Sequence, residues 1–391
     1  MMCSLLRRGI RYTRALPLLA QRHSRLFKWA VQCSTLAPKN NAMEPFQNHP
    51  GVRTDYPNPD RSKPFFPMFY NDVYEFNLPP HHRFPMQKYA RVRDIVQTAI
   101  AALNDTETIH CDFRVSPLAT WDEITTTHSP SYLHRFLTGD QAEQERRNVG
   151  FPWSHDGVRR ALSSTGGTVA AACAICEALV ASTSRMPLWA AHLAGGTHHA
   201  FYDRGEGFCV FSDIAVAANV VLERYPEHIQ RILIIDLDTH QGNGNAALFN
   251  NRSDVVTFSL HCAANYFSEK QNSDLDIELP AGCTDETYLA TLRHWLKQIE
   301  GKGGPFQLVF FQAGVDILAQ DRLGRMSVSP TGVRRRNRLV YDFCQQNNLP
   351  LVITMGGGYP KTGEPWEPIL EAHAGCYLEA HEYLRLEYLS N

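Results

Sequence analysis

Residues 231–244 read RILIIDLDTHQGNG, an apolar run followed at once by two carboxylates and an imidazole. The run is typical of a strand that is buried on both faces of a parallel sheet. Residues i and i+2 of a strand point to the same side, so Asp236, Asp238 and His240 project toward one region as the strand ends. Because ligands bind beyond the carboxyl ends of the strands in open α/β sheets, this stretch indicates both a fold and a site.

The same pattern recurs along the chain and alternates with helix-like stretches. Further apolar runs lie at 186–200, 254–262, 306–316 and 350–360, and helix-like stretches at 157–182, 212–225, 285–300 and 330–347. This alternation predicts an α/β fold with an open, doubly wound, mostly parallel sheet flanked by helices. No linker or low-complexity segment interrupts the chain after about residue 64, so we expect a single catalytic domain over 64–385.

Three residues at the ends of two apolar runs are candidate metal ligands. Asp238 and His240 share one side of a strand, and a carboxylate with an imidazole suits Zn²⁺ or Fe²⁺. Asp316 ends the run QAGVD (312–316) and is a third candidate. Either aspartate alone could simply cap a loop, but three protein ligands that leave a position for water are typical of a catalytic metal. Gly242 stands where a binuclear ureohydrolase would carry another carboxylate, so the sequence favours one metal.

Other polar groups follow the same runs and suit acid–base catalysis. Asp236 is a candidate hydrogen-bond partner for an imidazole, which it would orient and make more basic. His198 and His199 follow the run that begins at 186, and one of them could act as general base and then as general acid. Tyr359 follows Gly356–Gly358 and could donate a hydrogen bond to an oxyanion. The competing interpretation of the glycines, a P-loop, lacks its lysine and its Ser/Thr.

Bulk composition limits the function classes. The 391 residues carry a net charge of −2, which gives no reason to expect direct binding to nucleic acid or to an anionic membrane. The basic cluster RRRNR at 334–338 lies in a predicted helix and is interpreted as a solvated helix face. No apolar run approaches the length needed to span a bilayer, and the oligomeric state is left open.

The ten cysteines show no regular spacing, which fits a reducing compartment better than a disulfide framework. Cys173 and Cys176 form a CxxC pair in an alanine-rich helical stretch. Buried thiols are ordinary there, and no second pair completes a zinc site. The cysteines therefore predict neither a redox pair nor a structural metal.

The first 43 residues differ from the rest of the chain. They contain six arginines and several serines, and no acidic residue precedes Glu44. This composition is typical of a cleaved or disordered transit peptide and predicts import into mitochondria or another organelle. Initiation at Met43 would instead give a form for the cytoplasm or nucleus.

The motifs together resemble the zinc-dependent histone deacetylase family, over roughly residues 64–380. The stretches that carry the resemblance are HRFPMQKY (82–89), GGTHHAFYDRGEGFCVFSDIAVAA (195–218), DLDTHQGNG (236–244), FSLH (258–261), AGVDIL (313–318), DRLG (321–324) and GGGYP (356–360). The sequences of these motifs are most similar to those of class IV and related bacterial and plant members. The resemblance implies the arginase–deacetylase fold and hydrolysis of the amide of N6-acyl-lysine in an acylated protein or peptide.

The resemblance also assigns roles to individual residues. It implies one zinc per chain held by Asp238, His240 and Asp316, a general base/acid at His199, and a partner histidine, His198, paired with Asp236. It implies that Tyr359 polarises the carbonyl and that Gly207 and Phe208 form a wall of the acyl-lysine tunnel. It further implies a structural K⁺ at a monovalent-cation site formed by Asp236, Asp238, His240, Ser259 and Leu260.

The chain departs from the commonest family pattern at two positions. Where many members read HHGDG, this chain reads HQGNG, so Gln241 replaces a histidine and Asn243 replaces the aspartate behind His199. An amide stabilises imidazolium less than a carboxylate does, so we expect His199 to be less basic here. Two other functions remain open, deacetylation of small acylated amines such as acetylpolyamines and a catalytically silent binding module. The sequence does not fix the acyl length.

Overall fold

The computed structural model describes residues 42–53, 64–103, 108–181, 188–265 and 268–390, without the side chains of 300–303. The chain divides into two compact units, Met1–Glu44 and Pro45–Asn391, and the architecture below is that of the second unit. The predicted targeting segment, 1–43, lies almost entirely outside the described residues.

The described part of the second unit contains one eight-stranded sheet in which every paired neighbour is parallel. The strands are β1 (Phe65–Tyr70), β2 (His110–Val115), β3 (Trp189–His192), β4 (Ile232–Asp236), β5 (Val255–Cys262), β6 (Leu275–Leu279), β7 (Leu308–Gln312) and β8 (Leu351–Thr354). Their order is β2-β1-β3-β8-β7-β4-β5-β6. The predicted fold class is confirmed, and each predicted apolar run contains a strand.

Helices connect the strands. They are α1 (Lys88–Leu103), α2 (Trp121–Thr125), α3 (Pro130–Thr138), α4 (Glu143–Val149), α5 (His155–Ala181), α6 (Asp213–Arg224), α7 (Asn243–Phe249), α8 (Asp285–Gly303), α9 (Pro330–Gln346) and α10 (Glu367–Ser390). The four predicted helical stretches correspond to α5, α6, α8 and α9. Local signals set the helix starts: at α9, the Ser329 hydroxyl accepts a hydrogen bond from the Gly332 N–H, and Pro330 occupies the first turn.

Alternate residues of each central strand pack on opposite faces of the sheet. In β4, Ile232 and Ile234 belong to one apolar cluster, and Leu233 and Ile235 belong to the other. Residues of α5 and α6 complete the first cluster, and residues of α1, α8, α9 and α10 complete the second. Burial on both faces explains why these strands read as continuous apolar runs.

The register of the central strands aligns their carboxyl ends. Asp236 of β4 pairs with Gln312 of β7, Gln312 pairs with Thr354 of β8, and Thr354 pairs with His192 of β3. The loops after these four neighbouring strands therefore leave the sheet side by side. The fold places the predicted metal ligands, the two histidines and Tyr359 in those loops, and Asp236 at the end of β4.

The interpretation of RRRNR as a solvated face is wrong for its centre. Arg336 and Asn337 are completely buried. The Arg336 guanidinium donates hydrogen bonds to the carbonyl oxygens of Gly314 (2.9 Å) and Ala313 (3.3 Å). These two residues lie just past the end of β7, and one side of α9 faces them. The guanidinium thus holds the segment that leads to Asp316.

The expectation that no apolar run approaches membrane-spanning length also needs correction. Among the described residues, α5 has 27 residues and is long and apolar enough to cross a membrane by length and composition. Its most apolar window is 67% buried within the fold, as expected for a core helix. Cys173 and Cys176 lie on it as buried free thiols, and burial raises the pKa of Cys173 to about 11. This high pKa supports the prediction that the pair has no redox function.

Candidate active site

The three predicted metal ligands lie together beyond the ends of β4 and β7. The Nδ1 atom of His240 is 3.2 Å from Oδ1 of Asp238 and 3.1 Å from Oδ2 of Asp316. One ligand atom from each residue lies within 4.8 Å of the others. All three side chains are buried. A nitrogen and two carboxylates converging on one point form the donor set that a divalent cation requires.

Two glycines leave space for the carboxylates of this cluster. A Cβ on Gly357 would lie 2.5 Å from Oδ2 of Asp316 and 2.6 Å from Oδ2 of Asp238, and one on Gly314 would lie 2.3 Å from the latter oxygen. Burial and the neighbouring Asp238 carboxylate raise the pKa of Asp316, because two buried negative charges repel each other. A bound cation would relieve that repulsion, so the residues fit a metal.

The Gly242 position cannot accept a second-metal carboxylate. A Cβ there would lie 2.3 Å from Oδ2 of Asp236. That oxygen is 2.7 Å from Nδ1 of His198, so a side chain at 242 would displace an established ion pair. The set of three donors and the lack of space for a side chain at 242 therefore both support the expectation of one metal.

His198 has the environment of a charged imidazole. It is buried, which disfavours the charged form, but the Asp236 and Asp238 carboxylates outweigh this and raise the pKa of His198 to about 9. Its Nδ1 donates to Asp236, and the backbone N–H of Asp238 donates to the other Asp236 oxygen at 3.2 Å. Asp236 therefore lies at the end of β4, beside the candidate metal ligands, as the partner of His198.

His199 has the opposite environment. Its ring centroid is 3.9 Å from that of His198, and its Nδ1 is 2.9 Å from Oδ1 of Asn243. Burial and the charges of His198 and His240 hold the pKa of His199 well below its usual range, and the Asn243 amide offsets this only in part. Donation from Nδ1 to the amide oxygen leaves a lone pair on Nε2, which is the form a general base needs.

Tyr359 lies five residues beyond β8, against the same cluster. Burial and the nearby carboxylates of Asp238 and Asp316 raise its pKa well above the usual range, so the phenol keeps its proton. Its backbone N–H donates to Oδ2 of Asp321 at 2.6 Å. The ring lies 6.1 Å from that of Phe208.

The residues predicted to form a tunnel wall line one cavity with the candidate catalytic groups. This cavity, of about 650 Å³, is lined by His199, Gly207, Phe208, His240 and Tyr359 among others. The Phe208 backbone has a positive φ of 68°, and its ring packs 5.1 Å from Phe84 and 5.3 Å from Phe151. The aromatic wall follows from this packing.

The residues predicted for a monovalent cation are also adjacent. Asp236 pairs with Ser259 in the register of β4 and β5, and Leu260 follows in β5. The Cys262 N–H donates to the Thr239 carbonyl at 2.9 Å, which holds the segment between Asp238 and His240 against β5.

Several residues that position the site were not singled out from the sequence. Lys88 is buried, and its Nζ lies 3.2 Å from the carbonyl oxygens of both Gly356 and Gly358, the turn that precedes Tyr359. Gln312 donates from Nε2 to Oδ2 of Asp238 at 3.1 Å. Lys88 falls within the stretch HRFPMQKY and Gln312 falls within the apolar run 306–316, so each had a positional signal but no chemical one.

Asp213 anchors the loop that carries the two histidines. Its Oδ1 accepts from the backbone N–H and the hydroxyl of Thr197, at 2.7 and 2.6 Å. Its Oδ2 accepts from the Gly196 N–H at 3.0 Å and from the Thr168 hydroxyl at 2.5 Å. The carboxylate therefore fixes the backbone directly before His198.

Comparisons with known proteins agree with this geometry. The model of the histone deacetylase domain family matches residues 82–371, which is well over half of the chain. The chain belongs to the histone deacetylase family.

Individual relatives extend the likeness. The chain is 38% identical over 296 residues to an uncharacterised protein of Picosynechococcus sp., covering 76% of this chain and 93% of the relative. It is 31% identical to histone deacetylase clr6 of Schizosaccharomyces pombe, covering 74% and 72%. It is 35% identical to histone deacetylase 2 of Arabidopsis thaliana over 44% of this chain and 45% of the relative. A solved structure of a histone deacetylase homologue complexed with SAHA has the same fold, with a TM-score of 0.63, 22% identity and coverage of 82% and 84%.

Proposed function

We propose that this protein hydrolyses the amide of N6-acyl-lysine in proteins or peptides, in a zinc-dependent reaction that releases a carboxylate and free lysine. The observation that carries the proposal is the convergence of Asp238, His240 and Asp316 beside a neutral His199 and a protonated Tyr359. His199, His240 and Tyr359 line one cavity that opens to the surface. Membership of the histone deacetylase family supports hydrolysis of an acylated amine as the reaction class.

The metal would be held by Nδ1 of His240 and one oxygen each from Asp238 and Asp316. Zinc bound there supplies a Lewis acid for the amide carbonyl and lowers the pKa of a water at its open position. Ferrous iron would suit the same donors. The backbone N–H of Gly357 and the amide of Gln312 hold Oδ2 of Asp238, at 2.9 and 3.1 Å.

The proton chemistry follows from the two histidines. His199 is neutral and accepts the proton of the attacking water on Nε2, then returns it to the lysine amine as that group leaves. His198 remains charged through Asp236 and contributes positive charge beside the developing oxyanion. Tyr359 donates its phenol proton in a hydrogen bond to that oxyanion, and its high pKa prevents it from losing the proton.

The cavity mouth favours an acyl-lysine peptide over an acetylpolyamine. A polyamine carries further positive charges and needs an acidic mouth. The charged residues that line the described cavity are the exposed Arg83, Arg147 and Arg325, with one acid, the buried Glu206. The complete set of ligands, histidines and tyrosine also favours an enzyme over a silent binding module.

The proposal is tested by assaying acetyl-, octanoyl- and myristoyl-lysine peptides side by side with the zinc-loaded protein. We expect turnover of at least one acyl-lysine peptide, and loss of that turnover in Asp316→Asn. Asp342→Asn is a matched control on helix α9, away from the cluster. If the zinc-loaded protein turns over none of the three peptides, the proposal is contradicted. Turnover of acetylspermidine alone would then favour a deacetylase of small acylated amines, and no turnover at all would favour a silent binding module. The ranking of the peptides establishes the acyl preference.

We also propose K⁺ beside Asp236, Asp238, His240, Ser259 and Leu260, where β4 and β5 bring buried oxygen donors together. The expected result is higher thermal stability in KCl than in tetramethylammonium chloride at equal ionic strength. Equal stability in both salts would contradict this site.

For the cellular location we propose organelle import through residues 1–43, on the strength of the arginine-rich, acid-free composition. Fluorescent fusions of the full chain and of the chain starting at Met43 test this. Import of the first fusion alone supports the proposal, and identical distributions contradict it.

A further inference from the structure

The mouth of the catalytic cavity carries three exposed guanidinium groups. Arg83, Arg147 and Arg325 all line it, and they come from three separate segments of the chain. Arg147 pairs with Glu143 within helix α4, and Arg325 donates to the carbonyl oxygen of Ala264 at 3.0 Å. A bond to a carbonyl does not neutralise Arg325, whereas Glu143 offsets part of the charge of Arg147.

The acidic residue that lines the same cavity does not offset this charge. Glu206 is only 8% exposed, and it already pairs with Nε of Arg204 at 3.1 Å. Its carboxylate is therefore withdrawn from the mouth, whereas the three arginines face solvent.

The basic surface continues into a neighbouring cavity of about 780 Å³ that shares Arg83. Arg322 and Lys361 line that cavity, and Arg322 donates to the Arg83 carbonyl oxygen. Its acidic lining residues are Glu75 and Asp72, and Asp72 pairs with Arg93 at 2.9 Å. With a net charge of −2 for the whole chain, positive charge is concentrated where a substrate enters.

We propose that this arginine rim, formed by Arg83, Arg147 and Arg325, selects acyl-lysine that is flanked by acidic residues. This rests on the proposed function and names its substrate class. An acyl-lysine side chain that enters the cavity leaves its neighbouring residues at the mouth, since successive strand residues advance by about 3.3 Å. Carboxylates there meet guanidinium groups, which bind them in a bidentate manner and attract them over distance, whereas lysine-rich flanks are repelled.

The test uses three acetyl-lysine peptides of equal length whose flanking residues are Glu, Gln or Lys. Both kcat/KM and binding by fluorescence anisotropy are measured, at low and at high salt. We expect the Glu-flanked peptide to be favoured over the Lys-flanked peptide by about tenfold or more at low salt, and high salt to reduce the preference. Arg83→Glu and Arg325→Glu should each reduce or reverse it, and Arg335→Glu, which changes the net charge equally on helix α9, should leave it unchanged.

Measuring binding and kcat/KM separately distinguishes failure of the arginine rim from failure of the proposed function. Equal turnover of all three peptides, or preference for Lys flanks, overturns the rim and leaves the proposed function intact. Preferential binding of the Glu-flanked peptide without turnover supports the rim and contradicts the proposed function. A single-stranded oligonucleotide that binds the rim more tightly than the Glu-flanked peptide would assign the surface to nucleic acid and overturn the proposal. The salt comparison uses the wild-type chain, so it stands even where a variant fails to fold.

Discussion

The Nδ1 atom of His199 lies 2.9 Å from the amide oxygen of Asn243, and a second bond fixes the orientation of that amide. The Nδ2 group of Asn243 donates to the Glu269 carbonyl at 3.3 Å, which leaves the oxygen for the imidazole. Asn243 thus sets the tautomer of His199 without supplying the negative charge that would raise its pKa. At this pair, the orientation of the His199 ring is therefore fixed without an increase in its basicity.

Asn243→Asp should therefore change the pH profile. A carboxylate stabilises imidazolium, so the pKa of His199 rises. Because the base must be unprotonated to act, the acidic limb of kcat/KM should move to higher pH, by about one pH unit or more. Asn250→Asp, at the far end of helix α7, is the matched control. A profile that stays where it is in Asn243→Asp would show that His199 does not titrate as the base.

Tyr359→Phe should keep the zinc and lose most of the rate. The phenol is the hydrogen-bond donor that we assign to the oxyanion, and removing one such donor costs about 10²–10³ in kcat. Zinc content by atomic emission and kcat are measured together, with the exposed Tyr202→Phe as control. Near-normal kcat in Tyr359→Phe would remove this residue from the chemistry.

Gly357→Ala should weaken zinc binding. The added Cβ would lie within 2.6 Å of oxygens of both Asp238 and Asp316 and push the carboxylates apart. Titration with a competing zinc chelator measures the affinity. Gly375→Ala is the control, since a Cβ there meets nothing within 4 Å. Unchanged zinc affinity in Gly357→Ala would argue against these carboxylates as ligands.

Lys88→Met should destabilise the fold and slow the reaction. Two carbonyl oxygens of the Gly356–Tyr359 turn lose their donor, and each unsatisfied buried group costs about 1–3 kcal/mol. Urea unfolding and kcat are measured on the variant and on Lys297→Met, an exposed lysine on α8. If both variants unfold at the same urea concentration, the Lys88 ammonium does not support this turn.

The sequence predicts the centre of the sheet better than its edges. The strands that carry the site are buried on both faces and read as apolar runs, whereas β6 (LDIEL) is an edge strand with alternate residues exposed. The run at 186–200 correctly places His198 and His199 after a strand. However, β3 ends at His192, and a loop of the chain separates it from the two histidines. Long-range contacts hold that loop: its backbone donates to Asp213, and the Gly244 N–H donates to the His198 carbonyl oxygen at 3.0 Å.

The sequence does not predict which charged side chains are buried. A lysine and an arginine are usually exposed, so nothing in the chain marks Lys88 or Arg336 as buried donors. Their role depends on carbonyl oxygens that lie more than twenty residues away in sequence. The candidate ligands are different, because a carboxylate and an imidazole two positions apart after an apolar run mark Asp238 and His240 in the sequence, although β4 ends at Asp236 and both lie in the loop after it.

Zinc titration into metal-stripped protein, with deacylation of an acyl-lysine peptide measured on the same samples, tests whether the reaction depends on a single zinc ion per chain. We expect activity to rise in proportion to bound zinc and to stop rising at one zinc per chain. Full activity in the stripped protein, or no activity with one zinc bound per chain toward any of the three acyl-lysine peptides, would contradict it.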